Sequence, residues 1–210
     1  MTTIERASIP SVATKASTNG SVMALDAGYA VEVVLVGTAP ILFHRWDDAS
    51  VERKARAAKA SLAKRSDDVE NYVYRTSDGE ISIPGKNFKA CLREAARSLP
   101  DPRSPRKSAR DLVQSAVQVQ PFIASMGRTD WDCLDTQRVL VQRAAVSRTR
   151  PMFREGWSVS FVVVVLAPEF IASDWLHDLV SRAGRFVGLG DFRPDYGRFR
   201  MDSFQVKELL

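Results

Sequence analysis

The chain has 210 residues, 45% of them hydrophobic, and its 30 Lys+Arg against 25 Asp+Glu give a net charge of +5 and a pI near 9.4. This length and apolar content suit one compact domain with insertions, and the modest basic excess admits a polyanionic partner while excluding a histone-like protein. The two cysteines, Cys91 and Cys133, are too few and too isolated for a zinc site or a disulfide framework. The most apolar run, Val159 to Ala167, is about half the length that crosses a bilayer as a helix. The expectation is a cytoplasmic protein with no membrane contact, no metal and no cofactor.

Residues 1–28 are rich in Ser, Thr and Ala without sustained periodicity and read as a flexible N-terminal arm, leaving 29–210 as the folded domain. From Tyr29 an apolar run predicts a buried first strand that ends at Gly37 and is broken by Thr38-Ala39-Pro40. Asp48 to about Lys64 predicts an exposed helix. Tyr72 to Arg75 and Ile81 to Pro84 flank Ser77-Asp78-Gly79, a hairpin signal because Asp-Gly supplies the positive φ of a tight turn.

A helix from Lys86 to Leu99 follows, with Phe88, Leu92 and Ala95 toward the core and Lys86, Lys89 and Arg93 near its start. Cations beside the partial positive charge of a helix N-terminus suit a bound anion, although the same residues also read as an ordinary solvated face. Residues 100–110 combine three prolines with four basic residues, so the first half of this basic loop admits no regular element. Val117 to Ile123 and Arg138 to Val146 predict strands, and the valines of Ser158 to Ala167 predict a strand buried on both faces. Ser173 caps a helix over 174–183 with Gly184 as its C-cap, and Arg198 to Val206 is the last strand. The sum is an α+β domain.

Between the last helix and the last strand, Gly184, Gly188, Gly190 and Gly197 interleave with Arg185, Arg193, Arg198 and Arg200. Glycines let backbone approach a ligand and arginines reach phosphates, yet the spacing fits neither a Walker loop nor a dinucleotide fold. A third basic cluster holds Arg143, Arg148, Arg150 and Arg154 around Met152 and Phe153. With Val139 to Ala145 as one arm of a projecting hairpin, Met152 and Phe153 are placed to wedge between or stack on bases. They read equally as core residues among solvated arginines.

Two sequence features together resemble the RAMP superfamily, in particular the backbone subunits of CRISPR effector complexes. They are the segment Ile83, Pro84, Gly85, Lys89, Leu92, Arg93 and the loop with Gly188, Gly190, Gly197 and Arg198. The resemblance implies a modified ferredoxin-like (RRM-like) domain with loop or hairpin insertions, whose copies stack head to tail along RNA. It implies single-stranded RNA or another nucleic acid as partner, further copies of the chain, and other effector-complex subunits. The expected binding residues are Lys86, Lys89, Arg93, Arg143, Arg148, Arg150, Arg154, Gly188, Gly190, Arg193 and Arg198.

Catalysis is not expected. His44 lies where RAMP guide-RNA-processing endoribonucleases often place a general base, with Tyr29 or Lys86 as conceivable helpers, but cleavage needs a second positioned group. Asp47 or Asp48, Asp67-Asp68, and the set Asp130, Asp132, Asp135 are the acids placed to hold a divalent ion; adjacent loop acids more often cap helices. The alternatives are a phage or mobile-element structural or assembly protein with a RAMP-like core, and a guide-RNA-processing endoribonuclease using His44.

Overall fold

A computed structural model describes residues 28–46, Glu52, Arg56, 69–141 and 144–208. The predicted arm, the helix over 48–64 apart from Glu52 and Arg56, the acids Asp47, Asp48, Asp67 and Asp68, and Arg143 lie outside the described residues. In the first half the strands are β1 (Tyr29–Gly37), β2 (Ile41–Leu42), β3 (Tyr74–Arg75) and β4 (Ile81–Pro84), then helix α1 (Gly85–Ala95) and strands β5 (Pro100–Asp101) and β6 (Ser104–Ser108). The second half runs α2 (Arg110–Ala116), β7 (Val117–Gln120), β8 (Ile123–Ser125), β9 (Cys133–Val141), β10 (Ala144–Phe153), β11 (Ser158–Val165), α3 (Ser173–Phe186) and β12 (Phe199–Glu208).

The central sheet has the order β12-β1-β11-β7, every neighbour antiparallel. With α1 leading to β7 and α3 leading to β12, this is the ferredoxin-like βαββαβ arrangement, α+β as expected. Three insertions extend it: β2 to β4 before α1, the β5–β6 hairpin with α2 between α1 and β7, and β8 with the β9–β10 hairpin between β7 and β11.

Both long helices lie on one face because their apolar residues recur at helical spacing. Phe88, Cys91, Leu92 and Ala95 of α1 are buried, as are Leu176, Leu179, Val180 and Ala183 of α3. The α1 segment has no β-branched residue to oppose the helix. Phe88 stacks on Phe161 of β11 at 4.8 Å and meets Phe199 of β12 edge-on at 6.1 Å, so helix and sheet share an aromatic core. Burial pushes the Cys91 thiol up to about 12, which makes it a small core residue and not a reactive one.

Several expectations need correcting. β11 is covered on one face alone: Val159, Phe161, Val163 and Val165 are buried, while Ser158 and Ser160 are exposed and Val162 and Val164 half-buried. Antiparallel neighbours leave no crossover helix for the second face. The last helix runs through Gly184 to Phe186, and the C-terminal glycine is Gly188, at φ 78, whose N–H closes on the Ala183 carbonyl at 2.9 Å. The basic stretch after α1 is a short β5–β6 hairpin, its turn closed by the Asp101 carboxylate accepting from the Arg103 backbone at 2.9 Å and its guanidinium at 2.7 Å. The strand expected over 138–146 is the turn region of a hairpin with arms 133–141 and 144–153. The Asp-Gly hairpin is as predicted, β3 pairing β4 with Gly79 at φ 82. Among the described residues no helix is long and apolar enough to cross a membrane.

Gly184 lies where α3 touches β12. An added Cβ would sit 2.2 Å from the Phe199 carbonyl oxygen and 2.7 Å from its ring. Alanine inside a helix normally gains about 1 kcal/mol over glycine. Here Gly184→Ala is expected to lower stability by about 2 kcal/mol, read from the denaturant midpoint, because backbone has to move; a gain would contradict this packing.

Candidate nucleic-acid interface

The glycine loop that follows α3 is laid on the β1–β2 turn by backbone hydrogen bonds. Leu189 N–H donates to Gly197 O at 2.8 Å, Gly197 N–H to Pro40 O at 2.7 Å, and Asp191 N–H to Leu42 O at 3.0 Å. Gly190 packs so closely that a Cβ would lie 2.5 Å from the Leu42 oxygen. The tight approaches expected of Gly188 and Gly190 are thus made to the protein's own backbone; Gly188 is buried, and Gly190 retains a half-buried position at a groove wall.

Asp191 joins this loop to two other segments. Its Oδ2 lies 3.4 Å from His44 Nδ1, just past β2, and 2.5 Å from Arg150 Nε in β10. The Arg150 contact is off-axis for a hydrogen bond, so it acts as a close charge pair. The guanidinium also lies 4.4 Å over the Phe192 ring. Burial pushes the Asp191 carboxyl upward, but the neighbouring His44 and the Arg150 charge outweigh it and hold it at about 2.

Arg150 is therefore corrected from a surface contact to an interior residue, 7% exposed and committed to Asp191. Phe153 is likewise core, fully buried and edge-on to Phe43 at 5.1 Å, which removes it as a wedge for bases. Tyr29 donates its hydroxyl to Ile171 O at 2.8 Å from the start of β1. That bond commits the hydroxyl to Ile171, and β1 carries the chain about 26 Å from Tyr29 to Gly37 before the turn that leads to β2 and His44.

The remaining predicted cations fall into groups. Lys86, Lys89 and Arg93 sit at i, i+3 and i+7 of α1 and form one stripe. Arg93 and Arg193 face each other across a groove of about 630 Å³, walled also by Ala90, Glu94, Phe186 and Phe192. Arg93 Nη1 donates to Gln114 Oε1 at 3.0 Å, while its Nε has no hydrogen-bond partner among the described residues. Asn87, Ala90, Gly190 and Arg193 line a smaller depression alongside. Asn87 and Gly190 also line a cavity of about 80 Å³ with His44, Tyr72 and Ser82.

Arg198 is exposed and donates Nε to Pro194 O at 2.9 Å, bracing the loop. Arg148, on β10, is half-buried opposite Gln137. Arg154 lines a different depression with Arg128 and Trp157, where Asp132 accepts from the Arg154 backbone at 2.8 Å and pairs with Arg128 at 2.5 Å. The structure thus brings Lys86, Lys89, Arg93, Gly190 and Arg193 onto one surface and leaves Arg154 off it. Phe186, 62% exposed at the groove, went unnoticed in the sequence, although it falls off the buried stripe of α3. Among the described residues no cluster of three or more His, Cys, Asp or Glu is placed to hold a metal.

No protein-family model matches the chain, and no curated protein matches its sequence. Among solved structures, a chain of the Type III-B Cmr-beta complex bound to cognate target RNA is similar at TM-score 0.53 and 12% identity, covering 87% of this chain and 62% of that one. This likeness is one of fold, and the chain spans less than two thirds of that neighbour's length.

The depressed Asp191 pKa has a definite sign. A carboxyl held at about 2, below its unfolded value near 3.9, contributes stability that is fully present above about pH 4 and lost as pH falls toward 2. Asp191→Asn should be less stable than wild type at pH 7, with the gap constant down to about pH 4 and shrinking below it. A gap unchanged to pH 2 would contradict the assigned charge pair.

Proposed function

We propose that this chain is a RAMP-type protein that binds single-stranded RNA on its helical side without cleaving it, as a subunit of a larger assembly that includes further copies of itself. The observation that carries this reading is the α1 stripe Lys86, Lys89 and Arg93, whose Arg93 lines the groove beneath the glycine loop together with Arg193. Its support from comparison is the shared fold with a chain from an RNA-bound Cmr-beta complex. Binding on the open sheet face, as an RRM does with stacking aromatics, is disfavoured here. Glu32, Val34, Val36, Ser160, Val162 and Val164 occupy the centre of that face, and none is aromatic.

Affinity on such a surface comes from phosphate neutralisation and from stacking, with little base readout. Phe186 and Phe192 supply apolar faces at the groove, and Arg93 and Arg193 supply charge. Stacking of copies would follow from heterologous contacts that do not close into a ring.

A second reading has one observation in its favour. His44 is 41% exposed and faces Asp191 at 3.4 Å, a carboxylate able to orient an imidazole for proton transfer from a ribose hydroxyl. The close Arg150 charge competes for that carboxylate and favours the non-catalytic reading.

One set of binding measurements addresses both. Arg93→Ala combined with Arg193→Ala should weaken binding of a single-stranded RNA and flatten the log K against log salt slope by about 1.4, since each phosphate contact contributes roughly 0.7. An unchanged slope in a folded double variant would remove the groove from the site. Divalent-independent cleavage of that strand by wild type, lost in His44→Ala, would establish the endoribonuclease reading instead.

A further inference from the structure

Phe122 is 88% exposed, the most exposed large hydrophobic side chain among the described residues. It is not on a loose tip. Its carbonyl accepts the Gly85 N–H at 2.9 Å, and the preceding Pro121 carbonyl packs so near Gly85 that a Cβ there would lie 2.6 Å away. The ring is therefore presented to solvent from a segment clamped to the start of α1.

Beside it lies an open depression of about 350 Å³ at the β7 edge, lined by Gly85, Lys86, Lys89, Gln118, Val119, Gln120 and Phe122. No carboxylate lines it, and neither lysine has an ion-pair partner among the described residues. An exposed flat apolar ring next to two unneutralised ammonium groups fits a polyanion that also carries flat apolar rings.

We propose that Phe122 is a base-stacking platform: a single strand whose phosphates lie on Lys86 and Lys89 places one base on the Phe122 ring. This rests on the reading of the chain as a single-strand binder and extends the bound strand across α1, away from the glycine-loop groove.

The test compares a labelled single-stranded RNA with an abasic strand of the same length by fluorescence anisotropy over a salt series. Phe122→Ala should weaken RNA binding about ten-fold with no change in salt slope, and should leave the abasic strand unaffected. Phe122→Trp should bind as wild type. Lys86→Ala with Lys89→Ala should instead flatten the slope by about 1.4 on both strands. RNA binding unchanged in folded Phe122→Ala, or an equal loss on the abasic strand, overturns the platform alone. Wild type binding neither strand overturns the platform together with the functional reading beneath it. Sedimentation in which Phe122→Ala dissociates a self-associated wild type while RNA affinity is unchanged overturns the platform in favour of a contact between copies.

Discussion

Asp191 sits where the glycine loop, the exit of β2 and the β9–β10 hairpin meet, and its backbone N–H and carboxylate together tie those three segments. Its backbone N–H is held by Leu42 and its side chain faces both His44 and Arg150. Withdrawing a guanidinium and a carboxylate from water is costly, and close pairing offsets that cost without making the pair a large net source of stability. What such a pair supplies is register. A glycine-rich loop crossing other backbone has many near-equivalent placements, and one charge contact of this kind selects among them. Phe192, at φ 51 with its ring under the Arg150 guanidinium, is held in the same arrangement.

With the loop placed, the basic side chains sort by what the fold has already committed. Arg150 is consumed in building the site, Arg198 braces it through Pro194, and Arg93 and Arg193 are left to face the groove. Arg93 and Arg193 thereby place cationic groups on the helical side of the molecule at this end. The opposite sheet face, with its valines and serines, offers a strand of RNA neither phosphate contacts nor rings at its centre.

Elements whose determinants are local were legible in the amino-acid sequence. The Asp-Gly turn between β3 and β4, the apolar stripes of α1 and α3, and the first strand to Gly37 depend on neighbours a few residues away. The misreadings share a cause in long-range packing. Four valines in β11 imply two covered faces only if helices flank the sheet on both sides, and chain order put both on one. Gly184 reads as a helix stop, but its missing side chain makes room for Phe199, distant in sequence. Arg150 belongs to a dense basic cluster, and only Asp191, brought in by the tertiary fold, shows it to be internal. Phe122 and Phe186 went unmarked because an aromatic residue is read as core by default, and exposure is a property of the folded surface.

The central claim is that single-stranded RNA lies on α1 and the glycine loop. Photocrosslinking of 4-thiouridine-substituted RNA to the protein, with the linked peptides identified by mass spectrometry, tests it directly. The account predicts crosslinks within 85–94 and 186–198. Crosslinks confined to β1 and β11 on the open face of the sheet would contradict it.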